Sequence, residues 1–156
     1  LFRQKRYGFN NEMIEVLKFR SLYHEMSDFA AAKQVTKDDP RVTRVGRFIR
    51  KTSLDELPQL FNVVLKGNLS LVGPRPHAVQ SKLENRLFDE AVDGYFARHR
   101  VKPGITGLWQ ISGRSTTDVG RQQDLDAFYI DNRSFWFDTQ IILGTASAVI
   151  RGDGAY

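Results

Sequence analysis

Leu54, Leu57, Leu60, Phe61, Val64 and Leu65 recur at a helical period, and a proline sits among them at position 58. No other feature constrains the fold as strongly. Proline removes a backbone donor and clashes with the preceding turn, so a helix through this stretch has to kink or restart at Pro58. The residues just ahead of the break are two acids, Asp55 and Glu56. Ser53-Leu54-Asp55-Glu56 fits a capping box in which Glu56 reaches back to the cap amide. Lys66-Gly67-Asn68 then stops the stripe. Capping needs one acid at most, and the other is left to be explained.

Further signals set the frame around this block. Asp38-Asp39-Pro40 predicts a helix start, with Asp39 as the cap and Pro40 at the first helical position. The turns after it place Val42, Val45, Phe48 and Ile49 on one face and Arg41, Arg44, Arg47 and Arg50 around the other. This basic run reads either as a solvated face or as a helix lying on anionic lipid headgroups. A polar helix is expected from Ser27, a short strand over residues 69–72, and a rigid turn at Gly73-Pro74-Arg75-Pro76. A helix of about 25 residues should follow, ending near Val101. Lys102-Pro103-Gly104 breaks it, and residues 105–112 read as a second short strand or loop. Residues 124–131 are expected to be helical, and a last helix should begin at Ser134 and end by Gly152. The balance predicts an α+β fold, mostly helical with a few short strands, in a single domain over residues 1–156.

The chain carries 23 Lys and Arg against 18 Asp and Glu, a formal charge of +5, which points to an anionic partner. Its lack of cysteine excludes disulfides, thiolate metal sites and cysteine nucleophiles. No window reaches the roughly 18–20 apolar residues of a membrane span. The start at Leu1, followed by Phe2-Arg3-Gln4-Lys5-Arg6, reads like the middle of a longer chain, so an N-terminal part is expected ahead of it.

The acid pair sits where phosphate chemistry is favoured. A helix N-terminus keeps an Asp ionised and attracts phosphate. Arg50 arrives one turn ahead, and Arg75 is presented on a proline-stiffened turn. A carboxylate nucleophile attacking phosphorus needs such an environment, with cations to neutralise the phosphoryl oxygens. The neighbouring acid is then free to hold Mg²⁺. Glycoside hydrolysis also uses paired acids, but on opposite sides of a sugar, a geometry that helix neighbours do not offer. His24, His77 and His99 lack metal-ligand spacing. Gly113-Arg114-Ser115 could offer a phosphate one cation and a hydroxyl. Phe135-Trp136-Phe137 is either core or an aromatic belt at a bilayer surface.

Four blocks occur in order: Lys18-Phe19-Arg20-Ser21, the run Thr52 to Leu60 reading T-S-L-D-E-L-P-Q-L, Gly73-Pro74-Arg75-Pro76, and the run Lys102 to Gln110 reading K-P-G-I-T-G-L-W-Q. Together they resemble the bacterial sugar transferase family, the monotopic polyprenyl-phosphate phosphoglycosyl transferases, over nearly the whole chain. The resemblance implies a membrane-surface-associated catalytic domain on the cytoplasmic face of the bacterial inner membrane, with the family's re-entrant membrane helix as an anchor preceding Leu1. It implies transfer of a sugar 1-phosphate from a UDP-sugar to undecaprenyl phosphate, through a phosphosugar-aspartyl intermediate, with Mg²⁺ and release of UMP. The ending Arg151 to Tyr156 is similar to the hexose-1-phosphate transferases that begin exopolysaccharide repeat units. Asp55 then falls on the nucleophile and Glu56 on the metal-binding acid. Arg50 and Arg75 fall on phosphate-binding arginines, joined as candidates by Lys18, Arg20 and Arg114. Asp126 takes the place of a further acid, with Asp124 and Asp138 competing for it. The partners expected are the UDP-sugar, undecaprenyl phosphate and the anionic inner-membrane surface, with a homo-oligomer open.

Two rivals from other classes stand beside this reading. A basic nucleic-acid-binding module would use the charge and the Arg41–Arg50 run, although no zinc finger or RNP-like strand is present and no nucleic acid is expected. A non-catalytic membrane-surface scaffold would keep the fold without the chemistry.

Overall fold

The computed structural model describes residues 1–26, 35–36, 38–78, 82–83, 86–87, 95–113 and 119–151. The helix expected from Ser27 lies outside the described residues, as does Arg114. The charged N-terminal run, unassigned from sequence, is a strand: β1 (Phe2–Tyr7) pairs antiparallel with β2 (Met13–Lys18), Phe2 opposite Lys18 and Tyr7 opposite Met13. Gly8, Asn10 and Asn11 make the turn between them. Both asparagines have positive φ, which their short polar side chains tolerate. Gln4 of β1 is buried, Ile14 and Val16 of β2 face the core with Leu69, and Leu17 is covered on the opposite face.

Helix α1 (Arg44–Lys51) starts later than the Asp-Asp-Pro signal predicts. Its cap is Thr43, whose hydroxyl accepts from Gly46 N at 2.8 Å. Asp39 instead folds back on Arg41, accepting from the Arg41 backbone N–H at 2.9 Å and from its guanidinium at 2.6 Å. Arg41 therefore precedes the helix. The helix rests on the backbone of Ser21, so closely that a Cβ at Gly46 would collide with the Ser21 carbonyl. Its apolar Val45 and Phe48 point outward.

The chain then makes one 3₁₀ turn (Leu54–Glu56), passes Pro58, and continues as α2 (Gln59–Val64), so the break comes where the proline demands it. The orientation of α2 is inverted relative to an ordinary amphipathic helix. The polar residues Gln59 and Asn62 are buried, Asn62 completely at 0%, while Val64 and Leu65 stand 76% and 75% exposed. Asn62 explains the inversion: its carbonyl accepts from Leu17 N at 3.1 Å, and its amide donates to Glu15 O at 2.7 Å. It bonds the backbone of β2 as a neighbouring strand would.

The expected strand after Gly67-Asn68 is present as β3 (Ser70–Val72). The single long helix expected after Pro76 is not. The described residues there hold a two-stranded ladder, β4 (Lys82–Leu83) with β5 (Arg86–Leu87), and a 3₁₀ segment Tyr95–Arg100. Among the described residues of this stretch, Tyr95 bonds His77 and Arg98 bonds the Arg75 carbonyl, distant partners that leave no local signal in the sequence.

Strand β6 (Gly104–Thr106) pairs in parallel with β3, Val72 opposite Thr106. The short α3 (Leu108–Ile111), α4 (Val119–Asn132) and α5 (Phe135–Arg151) complete the chain, with Ser134 capping α5 through Phe137 N at 3.1 Å. Val72, Tyr129 and Ile141 form the core under this half, and Ile14, Val16 and Leu69 form a second core under the hairpin. No helix among the described residues is long and apolar enough to cross a membrane.

Candidate active site

The acid pair occupies the 3₁₀ turn, not the first turn of a capped helix. Ser53 adopts the left-handed conformation (φ 57°) and caps nothing, so the capping box does not form. Released from that role, Glu56 Oε1 accepts from Lys18 Nζ at 2.7 Å and from Arg75 Nη2 at 3.0 Å. Lys18 ends β2, and Arg75 lies on the turn after β3. Between them, Phe19 N donates to the Asp55 carbonyl at 2.9 Å, which ties the Lys18–Ser21 segment to the turn. Arg50, near the end of α1, donates to Ser21 Oγ at 3.2 Å.

The two acids differ in charge environment. Burial alone would raise Glu56, but Lys18, Arg75 and Arg6 outweigh it and hold the carboxyl well below the usual range. Asp55 goes the other way. Burial, reinforced by Glu56, raises it against the pull of Lys18, Arg50 and Arg75. The helix N-terminus expected to favour the ionised form is absent, since the pair sits on one 3₁₀ turn that supplies no macrodipole, and burial raises the carboxyl instead. Asp55's carboxylate makes no hydrogen bond and no ion pair with the described residues. The result is a basic, half-buried carboxylate beside a neutralised one, facing three cations.

Arg75 owes its direction to the turn. Pro74 and Pro76 set φ on either side of it. Gly73 and Gly107 allow the turn to lie against the β6 segment, because a Cβ on Gly107 would meet the Gly73 carbonyl. Two arginines that the sequence reading missed hold the turn from below. Arg6 donates to the Pro76 carbonyl and, at 2.6 Å, to Gln4 Oε1. Arg98 donates to the Arg75 carbonyl at 2.9 Å. Burial, with Arg75 adding to it, lowers Arg6 to about 10. An outward-reading charged run concealed Arg6; its position two residues from Gln4, on the same strand face, was the available signal.

The other candidates separate cleanly. Arg20 is exposed and takes no part in these contacts. Asp126, on α4, is buried 2.6 Å from Arg98 and does not touch the acid pair. Burial raises its carboxyl to about 6 against the pull of Arg98. Asp124 is exposed, and Asp138 accepts from the Tyr129 hydroxyl at 2.8 Å. His77 is neutral: burial, then Arg98, Arg6 and Arg75, drive it well below its ordinary value. His99, buried, lies 2.6 Å from Asn11 Oδ1.

Among the described residues no group of three His, Cys, Asp or Glu comes together as a metal centre. A cation at Asp55 and Glu56 would have two hard carboxylates and would need its other ligands from phosphate oxygens and water, a donor set that suits Mg²⁺ and not a transition metal.

Chemically this is an anion-handling carboxylate site, cysteine-free and ringed by fixed cations. The chain belongs to the bacterial sugar transferase family, whose profile matches residues 1–152. It is 52% identical over its whole length to an undecaprenyl-phosphate glucose phosphotransferase of Komagataeibacter xylinus, of which it covers 30%. It is 46% identical, again over its whole length, to a UDP-glucose:undecaprenyl-phosphate glucose-1-phosphate transferase of Escherichia coli K12, covering 34% of it. Over 99% of its length it is 43% identical to an exopolysaccharide production protein of Rhizobium leguminosarum, covering 80% of that protein. The chain thus spans about a third of the first two relatives.

Proposed function

We propose that this chain is the catalytic domain of a phosphoglycosyl transferase that moves a hexose 1-phosphate from a UDP-hexose to undecaprenyl phosphate. The carrying observation is the asymmetry of the acid pair: Glu56 Oε1 accepts from Lys18 and Arg75, while the half-buried Asp55 carboxyl is raised in basicity and makes no hydrogen bond or ion pair with the described residues. In the first step an Asp55 oxygen attacks the phosphorus that bears the sugar. A bond forms between the carboxylate and that phosphorus, the bridging phosphoanhydride bond breaks, and UMP leaves with the electron pair. In the second step an oxygen of the lipid phosphate attacks the same phosphorus, forming the lipid diphosphate sugar and returning Asp55 as carboxylate. Lys18, Arg50 and Arg75 neutralise the phosphoryl oxygens as charge develops on them. Mg²⁺, held through Glu56 and Asp55, would supply Lewis-acid charge neutralisation at the phosphates.

The apolar faces of α1 and α2 support a surface bound to the bilayer. Val45 and Phe48 on α1, and Leu57, Leu60, Phe61, Val64 and Leu65 on and beside α2, are all exposed, and exposed apolar side chains gathered on two neighbouring segments mark an interaction surface. Arg44, Arg47 and Lys51 are exposed on α1, placed for anionic headgroups on the cytoplasmic leaflet. The reaction would open exopolysaccharide repeat-unit assembly.

The test is a labelled UDP-hexose panel, glucose first, incubated with the detergent-purified, delipidated protein without lipid acceptor. The proposal expects label on Asp55 and one equivalent of UMP, both abolished in Asp55→Asn. Normal turnover by Asp55→Asn would refute it.

A further inference from the structure

Beneath the turn that presents Arg75 lies a buried charged pair that the reaction just described does not use. Arg98 and Asp126 are both nearly inaccessible, and Arg98 Nη2 stands 2.6 Å from Asp126 Oδ2. The same Nη2 donates to the Arg75 carbonyl at 2.9 Å. The other end of the guanidinium, Nη1, lies 3.1 Å from His77 Nδ1, and Tyr95 presents its ring 5.5 Å from Arg98 Cζ. His77 is fixed in turn by Gln122 on α4, whose Nε2 is 3.0 Å from His77 Nε2. All of Arg98's described contacts run to the turn, to His77, to Tyr95 or to α4. None runs to Asp55 or Glu56.

We infer that Arg98 and Asp126 form a positioning pair: Arg98 holds the Arg75 carbonyl, and Asp126, in ion-pair contact from α4, neutralises Arg98 and keeps it there. Burying a guanidinium without a counter-charge is costly, and Asp126 supplies that charge where the fork must point. Its effect reaches the site through one backbone group. With prolines on both sides, the Arg75 residue has little freedom except rotation of its own peptide planes. Anchoring its carbonyl from Arg98, and the next carbonyl from Arg6, sets where the side chain leaves the chain and meets Glu56. Asp126 is then a positioning residue acting through Arg98 and Arg75, not an acid that exchanges protons with substrate.

This inference rests on the transferase reading for its activity test, and a second readout does not. In native membranes Asp126→Asn should lower UMP release at least about tenfold, and Arg98→Lys, which keeps the charge and loses the fork, should do the same. In an Arg75→Ala background Asp126→Asn should cost less than about twofold more, because nothing is left to position. Equal fold-losses in both backgrounds, or Arg98→Lys with wild-type activity, would overturn the inference. In parallel, hydrogen exchange of the peptide covering residues 70–78 should quicken about tenfold more in Asp126→Asn than exchange of the β1–β2 hairpin peptide does. Unchanged exchange there would equally overturn it. A wild-type protein releasing UMP from no UDP-sugar would refute the transferase reading alone, and the exchange result would still decide on the pair.

Discussion

Lys18 Nζ lies 2.7 Å from Glu56 Oε1, joining the end of an N-terminal strand to a turn 38 residues later. Through this contact the hairpin reaches the acid pair, and Lys18 also heads the cations that lower Asp55. Lys18→Met should therefore reduce UMP release about a hundredfold, the scale of losing one fixed charge-stabilising group. It should also cost about 1–3 kcal/mol in urea unfolding, since Glu56 keeps only Arg75 as a hydrogen-bond partner. A depressed carboxyl stabilises the fold above its unfolded pKa and loses that contribution as pH falls. The gap between wild type and variant should thus be widest above about pH 5 and should narrow below about pH 4.

Asp126 has the opposite sign. Its carboxyl is raised from 3.8 to about 6, so the folded state binds its proton more tightly than the unfolded chain does. That contribution is complete below the unfolded value and drains away as pH rises through about 6. Urea unfolding of wild type and Asp126→Asn between pH 4 and 7 should show wild type losing about 1–3 kcal/mol relative to the variant across the window. A constant difference would contradict it.

Asn62 is a polar residue at the centre of a packed face. Asn62→Leu keeps the volume but leaves Leu17 N and Glu15 O without their partners. The expected cost is about 2–4 kcal/mol by urea unfolding, in spite of the gain in hydrophobicity.

Val64 and Leu65 invite the reverse experiment. Both are about three-quarters exposed, so Val64→Ser with Leu65→Ser should move stability by no more than about 0.5 kcal/mol. Flotation with anionic vesicles should nevertheless fall at least about tenfold, because two apolar side chains no longer enter the bilayer. Phe135 and Trp136, 88% and 69% exposed, belong on the same list. Tryptophan emission should shift to the blue on anionic vesicles, and Trp136→Phe should lose that shift.

The break at Pro58, the strand after Gly67-Asn68, the stiff Gly-Pro-Arg-Pro turn and the final helix were legible in the sequence because each depends on neighbours within a few residues. The block carrying Asp55 and Glu56 was legible for the same reason. Tertiary structure alone decided where the parts of the site meet. Glu56 looks like a capping residue until Lys18 and Arg75, 38 and 19 residues away, claim it. Arg6 and Arg98 carry no local mark of their place beneath Arg75, because a hydrogen bond to a distant carbonyl leaves no periodicity in either strand or helix. Periodicity showed that α1 and α2 each have an apolar face, but not which way it turns. That was settled by Asn62 bonding the backbone of β2 and by Gly46 closing on Ser21, short-range contacts between distant segments that force the polar side in and leave the leucines and valines outside.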